Sequence, residues 1–166
     1  MTTSMQAHLI FPQRGFTLIE MAVTLAIVAL LSTIALPMAE LSVQRGKEQD
    51  LRTDLRQIRA AIDAYKQAWD DGRMETSMNK TGYPPSLETL VEGVDDVTSI
   101  EPRKIYFLRR VPRDPFATDP TLSAAETWGL RSYASSADDP QEGEDVYDVY
   151  SLASGNDMHG IAYREW

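Results

Sequence analysis

Gly15-Phe16-Thr17-Leu18-Ile19-Glu20 opens an apolar run that continues to Ala39. In the 24 residues from Phe16 to Ala39, Glu20 is the only charged side chain. At about 1.5 Å per residue such a helix covers roughly 36 Å, enough for a hydrocarbon core of about 30 Å. A carboxylate inside a membrane helix costs roughly 2.5–3.5 kcal/mol, so Glu20 calls for a partner. A positive amino group at the same depth meets that need most economically. A cut between Gly15 and Phe16 creates one, as a new N-terminus, and turns the chain into a subunit that stacks against copies of itself. The alternative is an uncleaved signal anchor whose Glu20 snorkels to the interface.

The flanks disagree about orientation. Arg14 is the only Lys or Arg in the first 44 residues and votes for a cytoplasmic N-terminus. Arg45, Lys47, Arg52, Arg56 and Arg59 follow the run and vote the other way. A secretory signal is cut after its apolar region, beside small residues. Here the Gly-Phe junction precedes it, so cutting there retains the membrane helix. Pro37 removes one backbone donor near the end of the run. It reads either as a bend where the helix leaves the lipid or as a weak point that lets the helix stretch. Gly46 is a second soft position.

With 166 residues, one modest domain is expected beyond the membrane helix. The formal charge is −9; losing residues 1–15 removes one arginine and no acid, which leaves −10. An acidic soluble part argues against nucleic acid as a partner. The absence of cysteine excludes a disulfide framework, a thiolate zinc site and a cysteine nucleophile. His8 and His159 are the only histidines, and no HExxH, P-loop, GxGxxG or GxSxG occurs. Nothing here points to an enzyme.

Leu51, Leu55, Ile58, Ile62, Tyr65 and Trp69 recur at helical spacing and form one apolar stripe. The stripe predicts a helix face that docks onto a sheet, with a coiled-coil seam as the alternative. Asp71-Gly72 should end this helix. Ser86 to Val91 predicts a short helix opened by Pro85 or Ser86 and closed by Gly93. Ile105 to Leu108 is rich in strand formers, and Asp114-Pro115 marks a turn. Further strands are expected over 130–135, 146–152 and 161–166, with turns at 138–145 and 154–157. The fold class is therefore α+β, a long N-terminal helix packed on a small C-terminal antiparallel sheet. Five carboxylates crowd between Asp138 and Asp145. This is either a solvated turn or a calcium site using Asp138, Asp139, Asp145 and Asp157, although the spacing is not that of an EF-hand.

The Gly15 junction, the Phe16-Thr17-Leu18-Ile19-Glu20 start and the apolar stretch with Pro37 together resemble the class III signal of type IV pilins and type II secretion pseudopilins. Tyr83-Pro84-Pro85, Arg110-Val111-Pro112-Arg113-Asp114-Pro115 and Tyr147-Asp148-Val149-Tyr150-Ser151-Leu152 are similar to the G-type major pseudopilin family. The resemblance implies a leader over 1–15, cut after Gly15 by a prepilin peptidase that then N-methylates Phe16. It implies an assembly helix over 16–39 and a periplasmic domain over 40–166, anchored in the inner membrane with the N-terminus cytoplasmic. Glu20, fifth from the cut, falls where the family's carboxylate meets a neighbour's N-terminal amine. The implied partners are further copies in a helical filament, minor pseudopilins, and an inner-membrane platform with its ATPase. Two departures stand out. The family's Trp-Gly follows its Asp-Pro directly, whereas here Phe116 follows and Trp128-Gly129 comes after an insertion. The family's calcium loop has an Asp after the glycine turn and a later acidic pair, whereas here Asn156 and Asp157 are offset and the pair is missing. The expected function is a structural subunit of a type II secretion pseudopilus that helps export folded proteins. The alternatives are a type IV pilin or minor pilin for adhesion, motility or DNA uptake, and a tethered metal-binding domain that never polymerises.

Overall fold

The structure, a computed structural model, describes residues 15–75 and 81–166, leaving aside the side chains of 34–37. The chain divides into two units, Met1–Val43 and Gln44–Trp166. Helix α1 runs over Leu18–Asp70 and so contributes to both. Pro37 and Gly46 lie inside it without ending it, because the residues between them include the strong helix formers Met38, Ala39, Glu40 and Leu41. The side chain of Pro37 is outside those described, so its role as a bend or weak point is not addressed by packing.

Among the described residues of the first unit, the helix buries no side chain against its own chain. Phe16, Leu18, Ile19, Leu25 and Leu30 are all largely exposed. In the second unit the helix has a clear inner face. Leu51, Leu55, Ile58, Ile62 and Tyr65 are buried, joined by Ala61 and Ala68, and Trp69 packs at the edge. The stripe at spacings of three and four therefore does form one wall of the core. The opposite wall is mixed: Leu87 and Leu90 from a second helix, Leu108, and Trp128, Val146 and Val149 from the C-terminal part.

Helix α1 ends as the glycine predicts. Gly72 takes a left-handed φ of 68°. Its amide donates to the Trp69 carbonyl at 2.9 Å and the Arg73 amide to the Ala68 carbonyl at 3.0 Å. This pair of bonds is a Schellman ending, which satisfies two carbonyls that the helix cannot. Helix α2 spans Leu87–Glu92 between Ser86 and Gly93, also as expected. Strands β1 (Val94–Asp95) and β2 (Lys104–Ile105) pair antiparallel, with Val94 opposite Ile105. The run of strand formers over 105–108 yields only this short piece. The amides of Phe107 and Leu108 instead both donate to the Leu90 carbonyl, at 3.0 and 2.9 Å, and so dock onto α2.

The main hairpin is shifted from its expected place. Strand β3 is Trp128–Arg131 and not 130–135; strand β4 is Asp148–Ser151, inside the expected 146–152. They pair antiparallel, Leu130 opposite Val149 and Gly129 opposite Tyr150. Gly129 is required there: a Cβ would lie 2.3 Å from the Tyr150 ring. β3 stops at Arg131 because the chain turns away. The Ser132 amide donates to the Gln141 carbonyl and the Tyr133 amide to the Asp145 carboxylate, at 2.9 and 2.8 Å. The expected third strand over 161–166 is a 3-10 turn, Tyr163–Glu165, preceded by a single antiparallel bridge between Asn156 and Ala162. The turn expected at 154–157 falls later, where the Gly160 amide closes onto the Asp157 carbonyl at 3.0 Å.

The insertion after Asp114-Pro115 is closed on itself. The Arg113 guanidinium donates to the Leu122 carbonyl at 2.7 Å and also to that of Asp119. Ser123 and Glu126 exchange reciprocal bonds, at 2.7 and 3.4 Å. The chain then returns to its starting point, for the Trp128 indole donates to the Pro112 carbonyl at 2.8 Å. Trp128 thus stays beside the Arg-Val-Pro-Arg-Asp-Pro segment even though residues 116–127 intervene. Ile58 is fully buried at the centre of the stripe. Ile58→Ala is expected to destabilise the protein by about 2–5 kcal/mol, read from chemical denaturation of the detergent-solubilised chain.

Candidate functional site

The sequence places function at the start of α1, and the local geometry there is specific. Gly15 is not helical, and a Cβ on it would meet nothing within 4 Å. Among the described residues nothing demands glycine at this position. Phe16 follows with 76 % of its surface exposed. Thr17 then acts as the helix N-cap. Its hydroxyl accepts the Glu20 amide at 3.3 Å, and the Glu20 carboxylate accepts the Thr17 amide at 3.5 Å. This Thr-x-x-Glu exchange is a capping box, which serves two of the amides a helix start leaves unsatisfied. Its signal stood in the sequence as Thr17 and Glu20 before an apolar run, and the role of Thr17 is the one that was missed.

The bond from Thr17 to Glu20 is long, and a carboxylate has lone pairs for several donors. Glu20 therefore keeps acceptor capacity while bound to its own helix start. It is exposed, among apolar neighbours that are exposed as well. Monomeric soluble proteins rarely leave contiguous apolar patches beyond a few hundred Å² uncovered, so this surface is built to be covered. α1 contains a window long and apolar enough to cross a membrane, none of it buried within the chain.

The four expected calcium ligands are not brought together. Asp145 is buried, and its carboxylate accepts the Tyr133 amide at 2.8 Å and the Thr81 hydroxyl. Asp139 accepts the Gln141 side-chain amide at 2.8 Å, and Asp138 is exposed. Asp157 sits in a different loop and accepts the amides of His159 and Ile161. Among the described residues no three His, Asp or Glu side chains assemble into a metal-holding group. Within the acidic loop Asp139 and Asp145 are thus engaged by protein donors.

Other polar residues tie the C-terminal part to the Gln44–Asp70 portion of α1. Arg59 donates to Asp148 and to the carbonyls of Val149 and Trp166, at 2.8, 3.1 and 2.8 Å. Arg131 reaches the other oxygen of Asp148 at 3.4 Å. Gln44 donates to the Tyr163 hydroxyl at 3.1 Å, which in turn donates to Glu48 at 2.9 Å. Burial, with the Glu48 carboxylate beside it, pushes the Tyr163 phenol above its ordinary value.

Comparison with known proteins agrees with these features. Residues 10–36 match the prokaryotic N-terminal methylation motif. The chain is 26 % identical over 138 residues to type II secretion system core protein G of Klebsiella michiganensis, covering 80 % of this chain and 89 % of that one. It is 26 % identical over 136 residues to the Vibrio cholerae protein of the same name, covering 80 % and 86 %. To that of Pseudomonas aeruginosa it is 27 % identical over 138 residues, covering 80 % and 89 %. No solved structure matches. The chain thus joins a prokaryotic N-terminal methylation motif on an exposed apolar helix to a small α+β domain. Over most of its length it is similar to the type II secretion system core proteins G of these bacteria.

The capping box carries a prediction of its own. Thr17→Val keeps the shape of the side chain and removes the acceptor, at an expected cost of about 1 kcal/mol to the first helical turn. Amide exchange at Glu20 and Met21, followed by NMR in micelles, should then quicken while the amides of Leu51 to Ile62 stay protected.

Proposed function

We propose that this protein is a structural subunit of a type II secretion pseudopilus, not an enzyme. It enters the inner membrane with its N-terminus in the cytoplasm and its C-terminal domain in the periplasm. A prepilin peptidase removes residues 1–15 and methylates Phe16. Copies then leave the bilayer as a helical filament, with minor pseudopilins, an assembly platform and an ATPase, and the filament helps move folded proteins outward. The observation that carries this reading is the pairing of an uncovered apolar helix with one carboxylate at its start. Lipid covers such a helix before assembly and neighbouring helices cover it afterwards.

Glu20 sets the geometry of that exchange. In the free subunit it caps its own helix through a long bond. In the filament the amine of a neighbour's Phe16 offers a full charge in a medium of low dielectric, where an ion pair holds far more strongly than in water. The reverse also follows: without the carboxylate the buried amine is left unmatched, a situation that costs several kcal/mol. Gly15, which the fold does not require, is explained by a peptidase that must reach the backbone at the cut.

Glu20→Ala should be cut and methylated normally yet build no filaments. Mass spectrometry of the first residue reads the processing, and crosslinking with electron microscopy reads assembly. Normal filaments from Glu20→Ala would remove the carboxylate from this role. In the same assay Gly15→Asp should retain the intact mass with residues 1–15 attached; a mature mass would move the cut site elsewhere.

A further inference from the structure

After β4 the chain forms a loop that returns to α1, and Asp157 is its organising residue. Asp157 is 8 % exposed. One oxygen, Oδ1, accepts the His159 amide at 2.8 Å and the Ile161 amide at 2.9 Å. Its backbone is used as well. The Asp157 amide donates to the Ile161 carbonyl at 2.8 Å, and the Asp157 carbonyl accepts from Gly160. Asn156 and Ala162 bridge across the same loop. The loop is then fastened by Tyr163. Its amide donates to the Gly155 carbonyl at 3.1 Å, its ring stacks on Phe116 at 4.3 Å, and its hydroxyl reaches Glu48. The chain passes so close over that ring that a Cβ on Gly155 would lie 2.9 Å from it.

The charge of the carboxylate is met by the protein. Burial works to raise the Asp157 carboxyl, but the amides of Ile161 and His159 outweigh it and hold the group below the usual range. The side chains of His159 and Arg52 add to that effect. Arg52 is held nearby, its guanidinium 4.2 Å from the centre of the Trp166 ring. From Ala153 to Ala162 the sequence contains one carboxylate, Asp157 itself. Calcium requires six to eight oxygens, several of them carboxylates, and this loop supplies a single carboxylate.

We infer that the C-terminal loop is a cation-free lock, in which Asp157 gathers the loop's own amides and Tyr163 pins it to α1, so that this loop takes up no structural calcium. The inference draws on the pseudopilin reading only in choosing calcium as the ion to test. The experiment is thermal unfolding of the full chain in detergent micelles, in excess EGTA and in millimolar calcium chloride. A native state that bound calcium would melt at a temperature set by its concentration. The wild-type curves should superimpose. Asp157→Ala should melt lower in both buffers, and Asp157→Asn, whose amide oxygen still accepts, should stay near wild type in both. The inference is overturned if calcium raises the wild-type melting temperature and Asp157→Asn abolishes the rise, or if Asp157→Ala melts with wild type. Should Asp157→Ala not fold, the wild-type and Asp157→Asn curves in the two buffers still decide. None of these readings requires a filament, so the lock and the assembly role can fail independently.

Discussion

Half of α1 has an apolar surface that its own chain never covers. Every other property of the N-terminal unit follows from that constraint. A helix carrying Leu18, Ile19, Leu25 and Leu30 in the open is stable only where something apolar replaces water. Lipid and neighbouring helices are the two environments that do so without exposing backbone polar groups. Hydrophobic contact has no preferred register, so an apolar helix alone would slide against its neighbours. One polar group at a fixed depth supplies the missing coordinate, much as a single buried polar residue sets register in coiled coils. In the assembly proposed above Glu20 would be that group, and the capping box keeps it occupied without exhausting it.

The second unit solves a different problem. Its strands are two to four residues long and would not persist alone. They are held because the inner stripe of α1 offers a rigid apolar wall, against which Leu87, Leu90, Trp128, Val146 and Val149 close. The loops between them are held by side chains that bond to backbone. Arg59 gathers Asp148, Val149 and Trp166; Arg113 closes the insertion; Asp145 and Asp157 each collect amides from their own loops. With no cysteine in the chain, these contacts take the place a disulfide would otherwise fill.

The parts of the fold legible in the sequence were those governed by local chemistry. The stripe from Leu51 to Trp69 was visible because helical spacing reports the buried face directly. The ends at Gly72 and Gly93 were visible because only glycine takes a left-handed φ cheaply. Strand limits were not, because they depend on distant partners. Nothing local in Ser132-Tyr133 says that Gln141 and Asp145 will draw their amides away from β4. The same distance effect applies in the acidic loop, where the bonds from Tyr133 and Thr81 to Asp145 join residues far apart in the sequence. At the candidate site the carboxylate was legible from its isolation among apolar residues. Thr17 was overlooked because a small polar residue at a helix start is unremarkable until its bond is seen.

The glycines separate what the chain needs for itself from what it needs for others. Gly129 is demanded by the Tyr150 ring and Gly72 by the left-handed ending of α1, so a substitution at either strains the fold. Gly15 has open space around it among the described residues, so no described contact demands a glycine there. Glu20 is similar, because an exposed carboxylate at a helix start contributes little that another cap could not. Under the proposed function, residues of this kind serve encounters outside the single chain. They cluster within six positions, Gly15 to Glu20, at the only stretch where the described structure offers an apolar helix and no cover for it. The physical logic of the subunit is thus divided along α1. Its Gln44–Asp70 portion completes a domain, and in the proposed assembly lipid or another copy would cover its first turns.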